Sequence, residues 1–101
     1  PPYRRLGNIV LWGKDEVRVK EAALERGRAL RAAVVEMGEG WQVLGPAPCL
    51  FARLRGEYRW HVLVKSPVHA DLPGAIVEVL RSMRSREGVS VSVDIDPVDL
   101  F

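Results

Sequence analysis

The sequence contains a single cysteine, Cys49, in 101 residues. One thiol excludes an internal disulfide. With only His61 and His69 beside it, the ligand set of a structural zinc site is missing. Sparse cysteine fits a reducing, cytoplasmic setting. No apolar run approaches the roughly 18 residues of a membrane span, so no membrane partner is expected. There is no Gly-rich phosphate loop, no His-Glu-x-x-His and no serine in a nucleophile elbow. No cofactor is expected, and the chain does not read as an enzyme in its own right.

What is present is ordinary for a folded domain: 48% hydrophobic and 28% charged residues. The length suits one domain spanning residues 1–101. A core of that size supports a net stability of about 5–15 kcal/mol. The start, Pro-Pro-Tyr-Arg-Arg without methionine, reads as a fragment of a larger protein entered partway through a linker. Net charge is only +2, but its distribution is uneven. Between Ala52 and Lys65 stand four positive residues, Arg53, Arg55, Arg59 and Lys65, against one negative, Glu57. From Val89 to Phe101 there are three negatives, Asp94, Asp96 and Asp99, and no positives. Twelve of the fifteen basic residues are arginine, which suits forked contacts to phosphate or carboxylate.

Pro1 and Pro2 favour an extended lead-in. Leu6 to Trp12 is apolar on both parities, as a strand buried on both faces would be. Asp15 is placed to cap a helix from Glu16 to Met37, with a stripe of Val19, Ala23, Gly27, Leu30, Val34 and Met37. Arg18, Lys20, Glu21, Glu25, Arg28 and Arg31 between them form the solvated face. Val43 to Arg55 has strand character interrupted by Gly45, Pro46 and Pro48, so it belongs at a sheet edge. Gly56-Glu57 reads as a hairpin connection to a strand over Tyr58–Lys65. There Tyr58, Trp60, Val62 and Val64 point one way and Arg59, His61, Leu63 and Lys65 the other. Ser66-Pro67 starts a turn to a second helix. Pro73, tolerable only in a first turn, favours Asp71 as its cap. Its stripe is Leu72, Ile76, Val79 and Met83, arginines 81, 84 and 86 gather toward its end, and Gly88 stops it. Val89 to Ile95 alternates as a final strand. The order β-α-β-β-α-β predicts an α+β, ferredoxin-like fold: a four-stranded antiparallel sheet with two helices on one face. The other face stays open and carries Arg59, His61, Lys65, Ser90 and Ser92, with Leu63 among them.

Sheets of this topology often bind nucleic acid, using aromatics to stack bases and basic residues to hold phosphates. Here parity sends Tyr58 and Trp60 to the core. The expectation is backbone contact through Arg53, Arg55, Arg59 and Lys65, without base readout. Asp94 and Asp96 share a face, but no third acidic ligand accompanies them. Cys49 reads as a small core residue.

Four segments occur in order: Pro1-Pro2-Tyr3, Leu44-Gly45-Pro46-Ala47-Pro48, Arg53 through Trp60 (RLRGEYRW), and Asp94-Ile95-Asp96-Pro97. Jointly they resemble the C-terminal domain of the bacterial primosomal replication-restart helicases, the PriA (primosomal protein N′) family, along the whole chain. The resemblance implies a parent that is an ATP-dependent helicase with its ATPase and zinc motifs elsewhere. It implies a domain that binds branched DNA by structure, whether fork, duplex or single-stranded. It further implies docking against the helicase lobes and contact with the acidic C-terminal tail of single-stranded-DNA-binding protein. In the family a basic residue and a glutamine flank the aromatic-Arg-Trp core and hold that tail. Glu57 and His61 stand there in this sequence, so the implied tail contact falls to Arg59 and His61.

Two other readings compete. Trp12 and Leu63 on the open face, with the proline-rich edge, would suit a protein-interaction module with little DNA affinity of its own. A small-molecule sensor of the same topology lacks any ligand motif.

Overall fold

The computed structural model describes residues 4–97. The Pro1–Pro2 lead-in and Asp99 of the acidic end lie outside the described residues. Strand β1 runs Arg4–Gly13, helix α1 Glu16–Val35, strand β2 Gln42–Leu54, strand β3 Glu57–Pro67, helix α2 Leu72–Arg81 and strand β4 Ser90–Ile95. The sheet order is β2-β3-β1-β4, with antiparallel pairing throughout. This is the expected α+β, ferredoxin-like arrangement.

Strand β1 is central because it is apolar on both parities. Ile9 and Leu11 are fully buried toward the helices, while Asn8 and Val10 are each only 4% exposed on the other side. Opposite Ile9 and Leu11 sit Val62 and Trp60 of β3, and Val93 and Val91 of β4. Helix α1 lays Val19, Ala22, Ala23, Gly27 and Leu30 on this surface, and α2 adds Leu72 and Ile76. Each fully buried aliphatic side chain stabilises the fold by about 1.5–3 kcal/mol.

Both predicted caps form. Asp15 Oδ1 accepts from the amides of Val17 at 3.0 Å and Arg18 at 3.4 Å, and Asp71 accepts from Gly74 at 3.0 Å. Helix α1 stops two residues short of Met37, which is exposed, and Gly38 follows with φ +95°. Helix α2 ends at Arg81, well before Gly88. Only Arg81 of the three arginines therefore lies in its last turn. Arg86 instead reaches back to α1, pairing with Glu25 at 2.8 Å and Glu21 at 3.2 Å. That hydrogen bond holds the Glu25 carboxyl below, and the Arg86 guanidinium above, their usual values. Arg26 of α1 is 4% exposed and donates to the Arg84 carbonyl at 3.1 Å. Burial lowers its pKa.

Strand β2 lies at the edge, as Pro46 and Pro48 require. Its ladder with β3 is interrupted twice. Between the pairs Leu44–Leu63 and Ala47–His61, three steps on β2 face two on β3. Between Pro48–Trp60 and Arg53–Tyr58, five steps face two, so β2 carries three extra residues in a bulge, with Leu50 and Phe51 exposed and Cys49 buried. The hairpin turn is Arg55-Gly56, both at positive φ (55° and 79°), and Glu57 already belongs to β3.

A Cβ on Gly13 would collide with the backbone carbonyl oxygen of Gly88 where the α2–β4 connection crosses the end of β1. Gly13→Ala should therefore destabilise the domain by about 1–3 kcal/mol, read as a lowered urea midpoint.

Candidate nucleic-acid interface

The helices occupy one side of the sheet, so the alternation of β3 decides what the other side offers. Arg59, His61, Leu63 and Lys65 stand opposite Trp12, Val10, Asn8 and Leu6 of β1. Across β1 from them come Ser90, Ser92 and Asp94 of β4. Cross-strand partners share a face. The open surface is thus polar and basic along β3, with Leu6, Val10, Trp12 and Leu63 as apolar members.

The structure divides the four predicted phosphate contacts. Arg55 and Arg59 come together at the hairpin end, where they line a cleft of about 300 Å³ with Trp12, Glu57 and Ser92. Lys65 lies six residues further along β3, about 20 Å away. It lines a second concavity with Arg4, Arg5 and Leu6. Arg53 pairs across from Tyr58, and so shares the parity of Tyr58 rather than that of Arg59. Its guanidinium carbon sits 5.1 Å from the centre of the Tyr58 ring. The set is therefore three separate contacts around the β2–β3 ribbon, not one patch.

Tyr58 and Trp60 take the core-side parity expected of them. Trp60 packs against the core, donates from Nε1 to Glu16 Oε2 at 3.4 Å, and carries Lys20 Nζ 5.6 Å from its ring centre. Neither ring is open on the arginine-bearing face. Cys49 is buried as expected, and burial pushes its thiol pKa up.

His61 is half-buried and bonded to Asn8 Oδ1 at 3.1 Å through Nδ1. An amide oxygen only accepts, so Nδ1 carries the proton and the neutral ring leaves Nε2 as an acceptor. Burial keeps the ring below its ordinary pKa of 6.5. His61 does not line the cleft that holds Arg59; Arg55 and Trp12 do.

Asp94 and Asp96 are not a carboxylate pair. Asp94 is in β4, while Asp96 follows it in a left-handed conformation with φ +51°. Asp96 Oδ1 accepts from the Leu6 amide at 3.0 Å, and Oδ2 accepts from Arg5 at 3.1 and 3.2 Å. The Leu6 hydrogen bond, then Arg5, holds its carboxyl below the usual value. It is a latch between the start of β1 and the end of β4. No group of three or more metal-ligating side chains occurs among the described residues. No described helix is long and apolar enough to cross a membrane.

Three surface features lay outside the predicted set. Trp12 joins the arginines in the cleft, and Arg4 joins Lys65. Leu50 and Phe51 are 65% and 63% exposed on the β2 bulge. Trp12 had a signal in the two-parity run of β1, and Leu50–Phe51 had one in that two consecutive apolar residues in a strand cannot both face one core.

Fold and surface together define a ferredoxin-like α+β domain whose open face is basic at both ends. A designed protein, Foldit4, superposes with TM-score 0.61 at 14% identity, covering 95% of this chain and 99% of its own. A hydantoinase/carbamoylase family amidase from Burkholderia ambifaria gives 0.52 at 16% identity, covering 91% of this chain and 27% of its own. Both likenesses concern the fold alone. The chain belongs to the Primosomal protein N C-terminal domain family, whose model matches residues 1–98. Replication restart protein PriA of Treponema pallidum is 34% identical over 101 residues, covering 100% of this chain and 15% of the relative. Probable replication restart protein PriA of Deinococcus radiodurans is 36% identical over 98 residues, covering 96% of this chain and 10% of the relative. The chain thus spans only a small part of the length of these relatives, and most of each lies outside the matched segment.

Two pH windows should separate in denaturation. The unfolded chain protonates His61 near 6.5, before the folded state does. The stability tied to neutral His61 is therefore complete above that value and lost as pH falls through its lowered folded pKa. The contribution of Asp96 is complete above about 3.8 and lost below it, through its own lowered pKa. His61→Gln should flatten the upper window only, and Asp96→Asn the lower only, in urea midpoints measured across pH.

Proposed function

We propose that this domain is a DNA-contacting accessory module of a replication-restart protein. In this reading it holds phosphates at two stations, Arg55–Arg59 at the hairpin end and Arg4–Lys65 at the far end of β3. The observation that carries the reading is the pairing of Arg55 with Arg59 in one open cleft, in a chain of the primosomal family. The roughly 20 Å between the stations lets each engage a separate stretch of backbone. Phosphate contacts of this kind favour shape over sequence. Chemistry on DNA by the rest of such a protein would belong to segments beyond this chain.

A second reading assigns the same cleft to the acidic C-terminal tail of single-stranded-DNA-binding protein. Trp12 supports it, since an apolar wall beside two guanidiniums suits an acidic peptide with an apolar end. Glu57 in the cleft opposes it. In this reading Arg55 and Arg59 hold the tail, and His61, turned toward Asn8, does not.

Each phosphate contact should contribute roughly 0.7–0.9 to the slope of log K against log salt. Binding of the 101-residue chain to forked, duplex and single-stranded DNA is measured across a salt series. Arg55→Glu with Arg59→Glu should weaken all three and reduce the slope by about that amount per residue. Unchanged affinity and slope would sink the assignment. Loss of tail-peptide binding with intact DNA binding would select the second reading.

A further inference from the structure

The three-residue bulge of β2 pushes Leu50 and Phe51 into solvent between Pro48 and Arg53. Phe51, 63% exposed, is an aromatic ring neither core nor helix uses. Bulges at sheet edges commonly re-aim a side chain. The residues around this one narrow what it is aimed at. The Arg53 guanidinium carbon lies over Tyr58, 5.1 Å from the ring centre, and a guanidinium held over a ring face can still donate through its in-plane N–H groups. Arg55 follows at the turn. An exposed ring and aliphatic group are therefore followed by two guanidiniums within a six-residue stretch, Leu50 to Arg55.

We propose that the Leu50–Phe51 bulge is a base-stacking wedge for DNA junctions. Phe51 lies against an unpaired base, and Arg53 and Arg55 hold nearby phosphates. The proposal rests on the DNA-contact reading above and deepens it: the arginines supply affinity, and the wedge supplies the preference for a branch over continuous duplex. Aromatic rings stack on any base, so the preference is for exposed bases and not for sequence. Apolar side chains from protein surfaces enter base steps in the same manner. A second copy of this chain is a poor occupant. Pro46, Pro48 and the bulge deny strand pairing at this edge. Two such hairpins would also bring like charge together, four basic residues against one acid in each.

The test uses the 101-residue chain with a forked DNA carrying 2-aminopurine at the junction, the same sequence as blunt duplex, and a single strand. The wild type should quench or shift the 2-aminopurine signal. Phe51→Ala should weaken fork and single-strand binding by roughly 5- to 150-fold, the worth of one stacked base. Duplex affinity, salt slope and urea midpoint should stay unchanged. Phe51→Trp should restore the loss. Unaltered fork affinity and 2-aminopurine signal in Phe51→Ala, with Arg55→Glu and Arg59→Glu still weakening binding, would overturn the wedge and leave the phosphate reading standing. Failure of the arginine variants to alter binding would remove both. A wild-type dimer that Phe51→Ala converts to monomer, with DNA binding intact, would assign the bulge to self-association and also overturn it.

Discussion

The structure depends on a central strand that is buried on both sides. β1 pairs along ten residues with β3 and along six with β4. Ile9 and Leu11 anchor the helix layer, while Asn8 and Val10 are shielded on the opposite face without any helix over them. Their ladder neighbours among the described residues are side chains of β3 and β4. The open face therefore cannot be a loose polar surface. Its middle is held by packing and by the His61–Asn8 hydrogen bond, and solvent access concentrates at its two ends. Arg55 and Arg59 line the concavity at one end, and Arg4 and Lys65 the one at the other.

The edge strand solves a different problem. An unpaired edge invites another strand, and β2 prevents this with two prolines and two interruptions of its ladder. The same devices carry consequences for recognition. By breaking the ladder, the larger bulge separates Arg53 from the face that holds Arg55 and Arg59, and it brings Leu50 and Phe51 out. Protection of the edge and presentation of a surface are here one structural feature.

Elements whose determinants are local were legible in the sequence. The two-parity apolar run identified β1 as central, Pro73 chose Asp71 over Ser66 as the α2 cap, and the prolines sent β2 to the edge. The alternation of β3 placed Trp60 in the core and Arg59 outside it. Features made by partners far apart in the chain were not legible. Arg26 looks like any helix-surface cation until the Arg84 carbonyl, 58 residues on, is known to face it. Arg86 reads as a helix-end charge until α2 stops early and Glu21 and Glu25 come within reach. Asp96 reads as one of a carboxylate pair until its positive φ turns it toward Leu6, 90 residues earlier. Parity fails at the bulge for the same reason, since an excess of three residues on β2 resets the alternation between Pro48 and Arg53.

This has a bearing on how a small domain can prefer branched DNA. Alternation alone argued for backbone contact with no aromatic partner for a base, since Tyr58 and Trp60 are on the core side. That argument assumed a regular ladder. Once the ladder breaks, the aromatic available to a base is Phe51, which periodicity could not place. Phosphate contacts by themselves are indifferent to branching, because every duplex offers them. A preference for junctions needs a group that gains only where a base is exposed. In the proposed reading the bulge supplies such a group, close in sequence to Arg53 and Arg55, on a two-stranded ribbon paired to β1.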